Sequence, residues 1–303
     1  MFKSLLHAIG NTPLVKVNFD SPAQIYAKLE YLNPSGSVKD RSALFMIEQA
    51  EKNGLLNPGG TLIEASSGNQ GIATAMIGAI KGYKVIITVS EKVSKEKRDT
   101  LVAYGANVVT CKPTSFLEDP QSYHAEAVRI HKATPNSFML NQYFNTSNAL
   151  SHHALLGPEI WRQTNGKITH ICGGVGSAGT VCGTGRYLKE QNPSVKVLGV
   201  DSPCSYRSTN GNPQPYVLEG MGVDFVPPNL DYNVLDEFLL ASDADSVAML
   251  KKLARHHGLL VGPAAGATAH ATEQYVKNLT ENDLLVMIFG DSGRAYLTKG
   301  FYG

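Results

Sequence analysis

Along most of this chain, short apolar runs alternate with stretches that repeat at helical spacing, and that alternation constrains the fold more than any other feature. Strand-like runs fall at Thr61–Glu64, Val85–Val89, Asn107–Thr110, Ile168–Cys172, Val195–Val200 and Leu284–Phe289. Helical patterns fall at Ala43–Asn53, Ile72–Lys81, Lys95–Tyr104, Ala125–His131, Gly179–Glu190 and Asp245–His257. Strand–helix–strand units imply an α/β fold with mostly parallel, twisted sheets flanked by helices, and ligand sites beyond the C-terminal ends of the strands. Gly54, Gly82 and Gly258 stop three of the helices. The polar run Asn145-Thr146-Ser147-Asn148 separates two batches of elements. Two α/β domains are therefore expected, 1–145 and 146–303, with a cleft between them.

Composition matters here for what it excludes. The formal net charge of +1 gives no electrostatic reason to expect nucleic acid or an anionic membrane as partner. Cys111, Cys172, Cys182 and Cys204 form no C-x-x-C pair and read as reduced thiols, so a cytoplasmic location is expected. The apolar run near Met1 is too short for a signal peptide, and no stretch is long enough to span a bilayer.

Three loops carry the residues suited to chemistry. In Asn33-Pro34-Ser35-Gly36-Ser37-Val38-Lys39-Asp40-Arg41, a strand over Ile25–Glu30 meets a Pro/Gly turn and a helix begins near Ser37. Lys39 falls in the first turn, where the helix dipole disfavours positive charge. With partial burial, that field lowers the amine's pKa and favours the neutral form that an imine requires. An ordinary surface lysine has the same local sequence. The loop Glu64–Gly71 follows a strand and opens a helix, so its hydroxyls and free N–H groups suit a carboxylate, although an N-capping turn reads the same way. The loop Gly173–Thr180 has the same placement, with glycines that let a phosphate approach the backbone. It lacks the lysine of a Walker A loop; Gly174, Gly176 and Gly179 match G-x-G-x-x-G, and Asp201 after the next strand keeps a dinucleotide alternative open.

An imine-forming lysine together with a phosphate loop suggests pyridoxal phosphate, whose ring serves as an electron sink. With Gly10-Asn11-Thr12-Pro13-Leu14 ahead of these loops and Glu219-Gly220-Met221-Gly222 after them, the chain resembles the fold type II pyridoxal-phosphate enzymes of the cysteine synthase and cystathionine β-synthase family. The resemblance covers essentially the whole chain. It implies that Lys39 is the Schiff-base lysine and proton carrier, and that Asn69 hydrogen-bonds the cofactor's ring hydroxyl. It further implies that Ser66, Ser67, Asn69, Gln70, Gln142 and Gly220 bind substrate, and that Gly176, Ser177, Ala178, Gly179 and Thr180 hold the cofactor phosphate. Family members form two α/β domains, usually dimerise, and close the N-terminal domain over the substrate, so a homodimer is expected.

The chain departs from the family pattern at three sites. Gln70 replaces a threonine of the carboxylate loop. Ala178 replaces the first of two adjacent glycines, and a tolerated backbone conformation is expected there because left-handed alanine costs roughly 1 kcal/mol. Ala264, in Gly262-Pro263-Ala264-Ala265-Gly266, stands where the family's serine hydrogen-bonds the pyridine nitrogen. Water, Ser292 or Asp291 is left to take that place, or the nitrogen has no protein partner.

The implied reaction is β-replacement on serine or an O-activated serine through an aminoacrylate, with a sulfur nucleophile, sulfide or homocysteine. Phe116–Asn148, Glu219–Phe225 and Gly290-Asp291-Ser292 look closer to cystathionine β-synthases, whereas Gly157–Trp161 and Lys299–Gly303 look like cysteine synthases. Val223 stands where the former have a tyrosine, and their haem-binding extension and regulatory tail are not expected. An amine nucleophile, a serine/threonine dehydratase, or a non-catalytic binding protein on the same fold are the alternatives. His152-His153 and His256-His257 are poorly spaced for a chelate on a helix, so no metal is expected. Met76, Met139 and Trp161 read as packing, Asp119-Pro120 as a helix start, and Glu91 to Arg98 as the solvated side of a helix.

Overall fold

Leu284–Phe289 is apolar and buried at all six positions, as a strand with neighbours on both edges and cover on both faces must be. The computed structural model, which describes residues 1–303 apart from Ser67 and Ser115, places it inside the larger of two sheets. In chain order the elements are β1 (Leu14–Lys16), β2 (Gln24–Leu29), α1 (Lys39–Lys52), β3 (Thr61–Ala65), α2 (Asn69–Lys81), β4 (Lys84–Ser90) and α3 (Lys95–Ala103). There follow β5 (Asn107–Cys111), α4 (Tyr123–Ala133), β6 (Ser137–Met139), α5 (Ser147–Ala154), α6 (Leu156–Gln163) and β7 (His170–Gly174). The last are α7 (Gly179–Gln191), β8 (Lys196–Asp201), β9 (Glu237–Leu240), α8 (Asp243–His257), α9 (Pro263–Tyr275) and β10 (Leu284–Phe289).

One sheet has the order β5-β4-β3-β6 and is parallel throughout. The other has the order β1-β2-β10-β7-β8-β9, parallel except for the β1–β2 pair at one edge. The sheets do not divide the strands at residue 145, because β1 and β2 pair into the sheet built from the second half of the chain. Residues 14–29 thus tie the start of the chain to its end. The polar run at 145–148 acts as a seam: Asn148 donates from Nδ2 to the Gln142 carbonyl (2.8 Å) and to Ser177 Oγ (3.0 Å), joining loops from both sheets.

Helix termini follow their local chemistry. Gly82 and Gly258 end α2 and α8 in the left-handed conformation, where a side chain would be strained. The helix expected from Asp119-Pro120 begins later. Ser122 caps α4 by accepting from the Ala125 N–H, and Asp119 instead lies in the preceding turn. Met76 lies in the core under the smaller sheet, Met139 packs against a neighbouring cluster, and Trp161 packs beside α7. Among the described residues, no helix is long and apolar enough to cross a membrane.

Candidate active site

The ends of β3, β7 and β10 and the starts of α2, α7 and α9 converge on Lys39. It is the first residue of α1, and Val38 ahead of it donates its N–H to the Gly290 carbonyl just after β10. The side chain is partly buried and, among the described residues, makes no ion pair. Burial pulls the amine down to about 8, against the opposing pull of Glu64 and Asp291. A lysine poised there is partly neutral near physiological pH, as a nucleophile must be.

Lys39 opens into two cavities. The first is lined by Gly173, Gly174, Gly176, Ser177, Ala178, Thr180, Gly220, Ala264 and Asp291, among others. The second is lined by Ser66, Gly68, Gln70, Lys97, Gln142, Tyr143, Glu219 and Tyr296, among others. Lys39, Asn69, Gly176 and Gly220 line both. Every residue expected for cofactor or substrate contact therefore lies at one site, with two exceptions. Gly179 is the first residue of α7 but packs behind the cavity against Asn148, and Ser67 lies outside the described residues.

The first cavity has the features of a phosphate cup. The start of α7, a 13-residue helix, leaves N–H groups free toward it. A Cβ at Gly176 would lie 2.8 Å from the Gly220 carbonyl oxygen, so that position must be glycine for the loops to meet. Thr180 Oγ1 lies 3.2 Å from Nε2 of His152, a buried ring whose pKa is lowered by burial and which therefore stays neutral. Ala178 corrects an expectation. It is held at φ +63°, ψ −14°, a left-handed conformation in which its methyl is strained.

Ala264 faces the same cavity and offers no polar side chain. Of the two protein groups considered as substitutes for the missing serine, Ser292 is turned to cap the segment Gly293–Lys299, accepting from the Arg294 N–H. Asp291 does line the cavity, but its carboxylate accepts from Asn69 Nδ2 (2.7 Å) and from the Tyr296 hydroxyl. Burial raises the pKa of Asp291, opposed by Lys97 and by those two donors.

Donors dominate the second cavity. Gln142 reaches it from a turn in which Asn141 has φ +54°. That turn is held by the buried Glu64 carboxylate, which accepts from the Asn141 N–H at 2.7 Å and from the Gln142 N–H at 3.5 Å. Burial raises the Glu64 carboxyl to about 8 despite those two bonds. Lys97 corrects a second expectation: it does not lie on a solvated helix face. It is 2% exposed, pairs with Glu219, and sits 4.2 Å from the Tyr296 ring centre. Its inward position was hidden by the charges around it, since Lys95, Glu96 and Arg98 alternate with no apolar pattern to mark a buried face. Asp201, the residue that kept a dinucleotide open, is already occupied by Ser205, Arg207 and Ser208. The members of the first histidine pair have separate partners: His152 faces Thr180, and His153 faces Glu190. Among the described residues no group of three or more metal-ligating side chains forms.

These features fit pyridoxal phosphate. A lysine with a depressed pKa stands at one end, a helix N-terminus with glycine at the closest approach stands at the other, and the amide of Asn69 lies between. Comparison with known proteins points the same way. The family model described as pyridoxal-phosphate dependent enzyme matches residues 5–291. A cystathionine beta-synthase of Apis mellifera is 42% identical over 97% of the chain, which spans 60% of that relative's length. Cysteine synthase 3 of Caenorhabditis elegans is 40% identical over 97% of the chain and 88% of its own. The crystal structure of an O-acetylserine dependent cystathionine beta-synthase from Helicobacter pylori superposes with a TM-score of 0.92 at 36% identity, covering all of this chain and 99% of that one.

Proposed function

The chain belongs to the pyridoxal-phosphate dependent enzymes, in the branch of the cystathionine beta-synthases and cysteine synthases, and from that premise we propose that it catalyses β-replacement on serine or an O-activated serine with a sulfur nucleophile, sulfide or homocysteine. The observation that carries this reading is the junction of the two cavities at Lys39. When bound, pyridoxal phosphate withdraws electrons from the amino acid's Cα and so makes its proton removable.

The chain's own groups would do the rest. The start of α7, with Ser177 and Thr180, holds the phosphate, while Asn69, fixed by Asp291, holds the ring hydroxyl. Ser66, Gln70 and Gln142 receive the donor's carboxylate. Lys39 takes and returns the proton at Cα, a role its lowered pKa suits. Lys97 and Glu219, paired with each other, form one wall of the donor's cavity. The same reading includes domains 1–145 and 146–303, with residues 14–29 crossing over to pair in the second domain's sheet, closure of the first over the substrate, a homodimer, and a cytoplasmic location, the last supported by four free thiols.

The test is a spectral titration of the purified holoenzyme with serine, O-acetylserine and O-phosphoserine, followed by product analysis with sulfide or homocysteine. Borohydride reduction and peptide mapping should find the cofactor on Lys39. Cofactor on another side chain, or keto acid that added thiol fails to divert, would overturn the assignment.

A further inference from the structure

Gln70 is 1% exposed, yet only half of its amide is used. Its Oε1 accepts from Ser42 Oγ at 3.1 Å, while its Nε2 is enclosed and has no hydrogen-bond partner among the described residues. A buried N–H without an acceptor is costly, and native structures keep few of them. This one belongs to a residue that lines the cavity with Ser66, Asn69 and Gln142.

Ser42 decides which end of the amide that ligand meets. It lies on α1, three residues past Lys39, and is fully buried. Its hydroxyl stands 3.2 Å from the Lys39 carbonyl and 3.1 Å from Gln70 Oε1. One hydroxyl has one proton to give. Given to Gln70, it holds the amide oxygen toward α1 and leaves the N–H pair for another acceptor. Without it, the amide can turn and face a substrate carboxylate with its oxygen, acceptor against acceptor.

We propose that Ser42 is a positioning residue that orients the Gln70 amide so that its free N–H is offered to the α-carboxylate of the amino-acid donor, making Ser42 and Gln70 one specificity element. This rests on the reading that the cavity takes an amino acid. It also couples the helix that bears Lys39 to the carboxylate pocket, since Ser42 lies on that helix.

The experiment compares wild-type holoenzyme with Ser42→Ala, Gln70→Met and the double variant. L-alanine, which has no β-leaving group, is the equilibrium probe, read by the shift of the cofactor's absorbance band. Gln70→Met keeps the side-chain length and should weaken L-alanine binding about tenfold or more, the worth of one hydrogen bond to a charged group. Ser42→Ala should weaken it about three- to tenfold, raise KM for the donor by a similar factor, and leave kcat within about threefold. In the Gln70→Met background, Ser42→Ala should add nothing further. Equal losses in both backgrounds, unchanged binding, or a fall in kcat and melting temperature at constant KM would each overturn the proposal in favour of simple packing. Should Ser42→Ala fail to load cofactor, Gln70→Met binding L-alanine like wild type would overturn it alone. Wild-type protein with no cofactor on Lys39 would instead sink the functional reading, so the two failures are distinguishable.

Discussion

Two charged residues stand one position apart from being neighbours on α1, and their surroundings are opposite. Arg41 is buried and fully partnered: it donates to Glu30 at 2.7 and 2.8 Å and to Glu159 at 2.9 and 3.0 Å. Lys28 pairs with the same Glu159 and also reaches Gln163 at 2.8 Å, so every charge in that cluster has an opposite. Burial works against the Glu159 carboxyl, but Arg41 and Lys28 hold it down at about 2. Lys39, two residues earlier, makes no ion pair among the described residues, and burial pulls its amine down to about 8. One turn of helix thus carries a charge that is locked and a charge that can be given up. Saturation of partners, rather than burial alone, distinguishes the structural group from the chemical one.

Breaking the locked cluster should give the largest effect. Arg41→Met fills similar volume but leaves Glu30 and Glu159 buried without their shared cation. Removing one partner of a buried ion pair costs about 3–5 kcal/mol, and urea unfolding of the purified variant should show a loss of that size. A loss below about 1 kcal/mol would mean that the two carboxylates simply take up protons or water, and that the contrast with Lys39 is weaker than its geometry implies.

The second prediction addresses the open side. A lysine whose folded pKa lies near 8 rather than 10.5 loses its proton as pH rises through 8. The rate at which cofactor-free enzyme takes up pyridoxal phosphate should therefore climb between about pH 7 and 9 and level off above that. The stability sign follows the same shift. The folded state holds fewer protons than the unfolded one between pH 8 and 10.5, so cofactor-free protein should gain stability across that window as pH rises. A loading rate still climbing at pH 10 would show an ordinary lysine.

The same contrast explains which parts of the molecule were legible beforehand. Strands such as β10 and helices such as α8 follow from apolar period and terminal glycines, because those patterns are local. Lys39 and the loops Ser66–Gly71 and Gly173–Thr180 could be singled out because each lies where a strand leads into a helix start, whereas the roles of Asn69 and of Gly176–Thr180 came only from the family resemblance. Lys97, Glu64 and Ser42 were not legible. Their importance comes from what they meet across the fold: Glu219 is 122 residues from Lys97, and Asn141 is 77 from Glu64. No local period records such partners. The pairing of β2 with β10 was missed for the same reason, since a strand's own pattern does not name its neighbour.

The smallest effect is predicted at Ala178, where the open side also stores backbone strain. Ala178→Gly removes a left-handed alanine penalty of about 1–2 kcal/mol. Against this, glycine adds about 0.4–1 kcal/mol of unfolded-chain entropy. It also gives up a methyl that is 3% exposed and packed in the core beside α7, worth about 0.8 kcal/mol. The terms nearly cancel, so stability should change by less than about 1 kcal/mol and the melting temperature by no more than about 2 °C. A larger gain would show strain that the methyl's packing does not offset. A loss beyond 1 kcal/mol would show that the methyl holds the cup in shape, and that alanine here is a packing residue rather than a tolerated misfit.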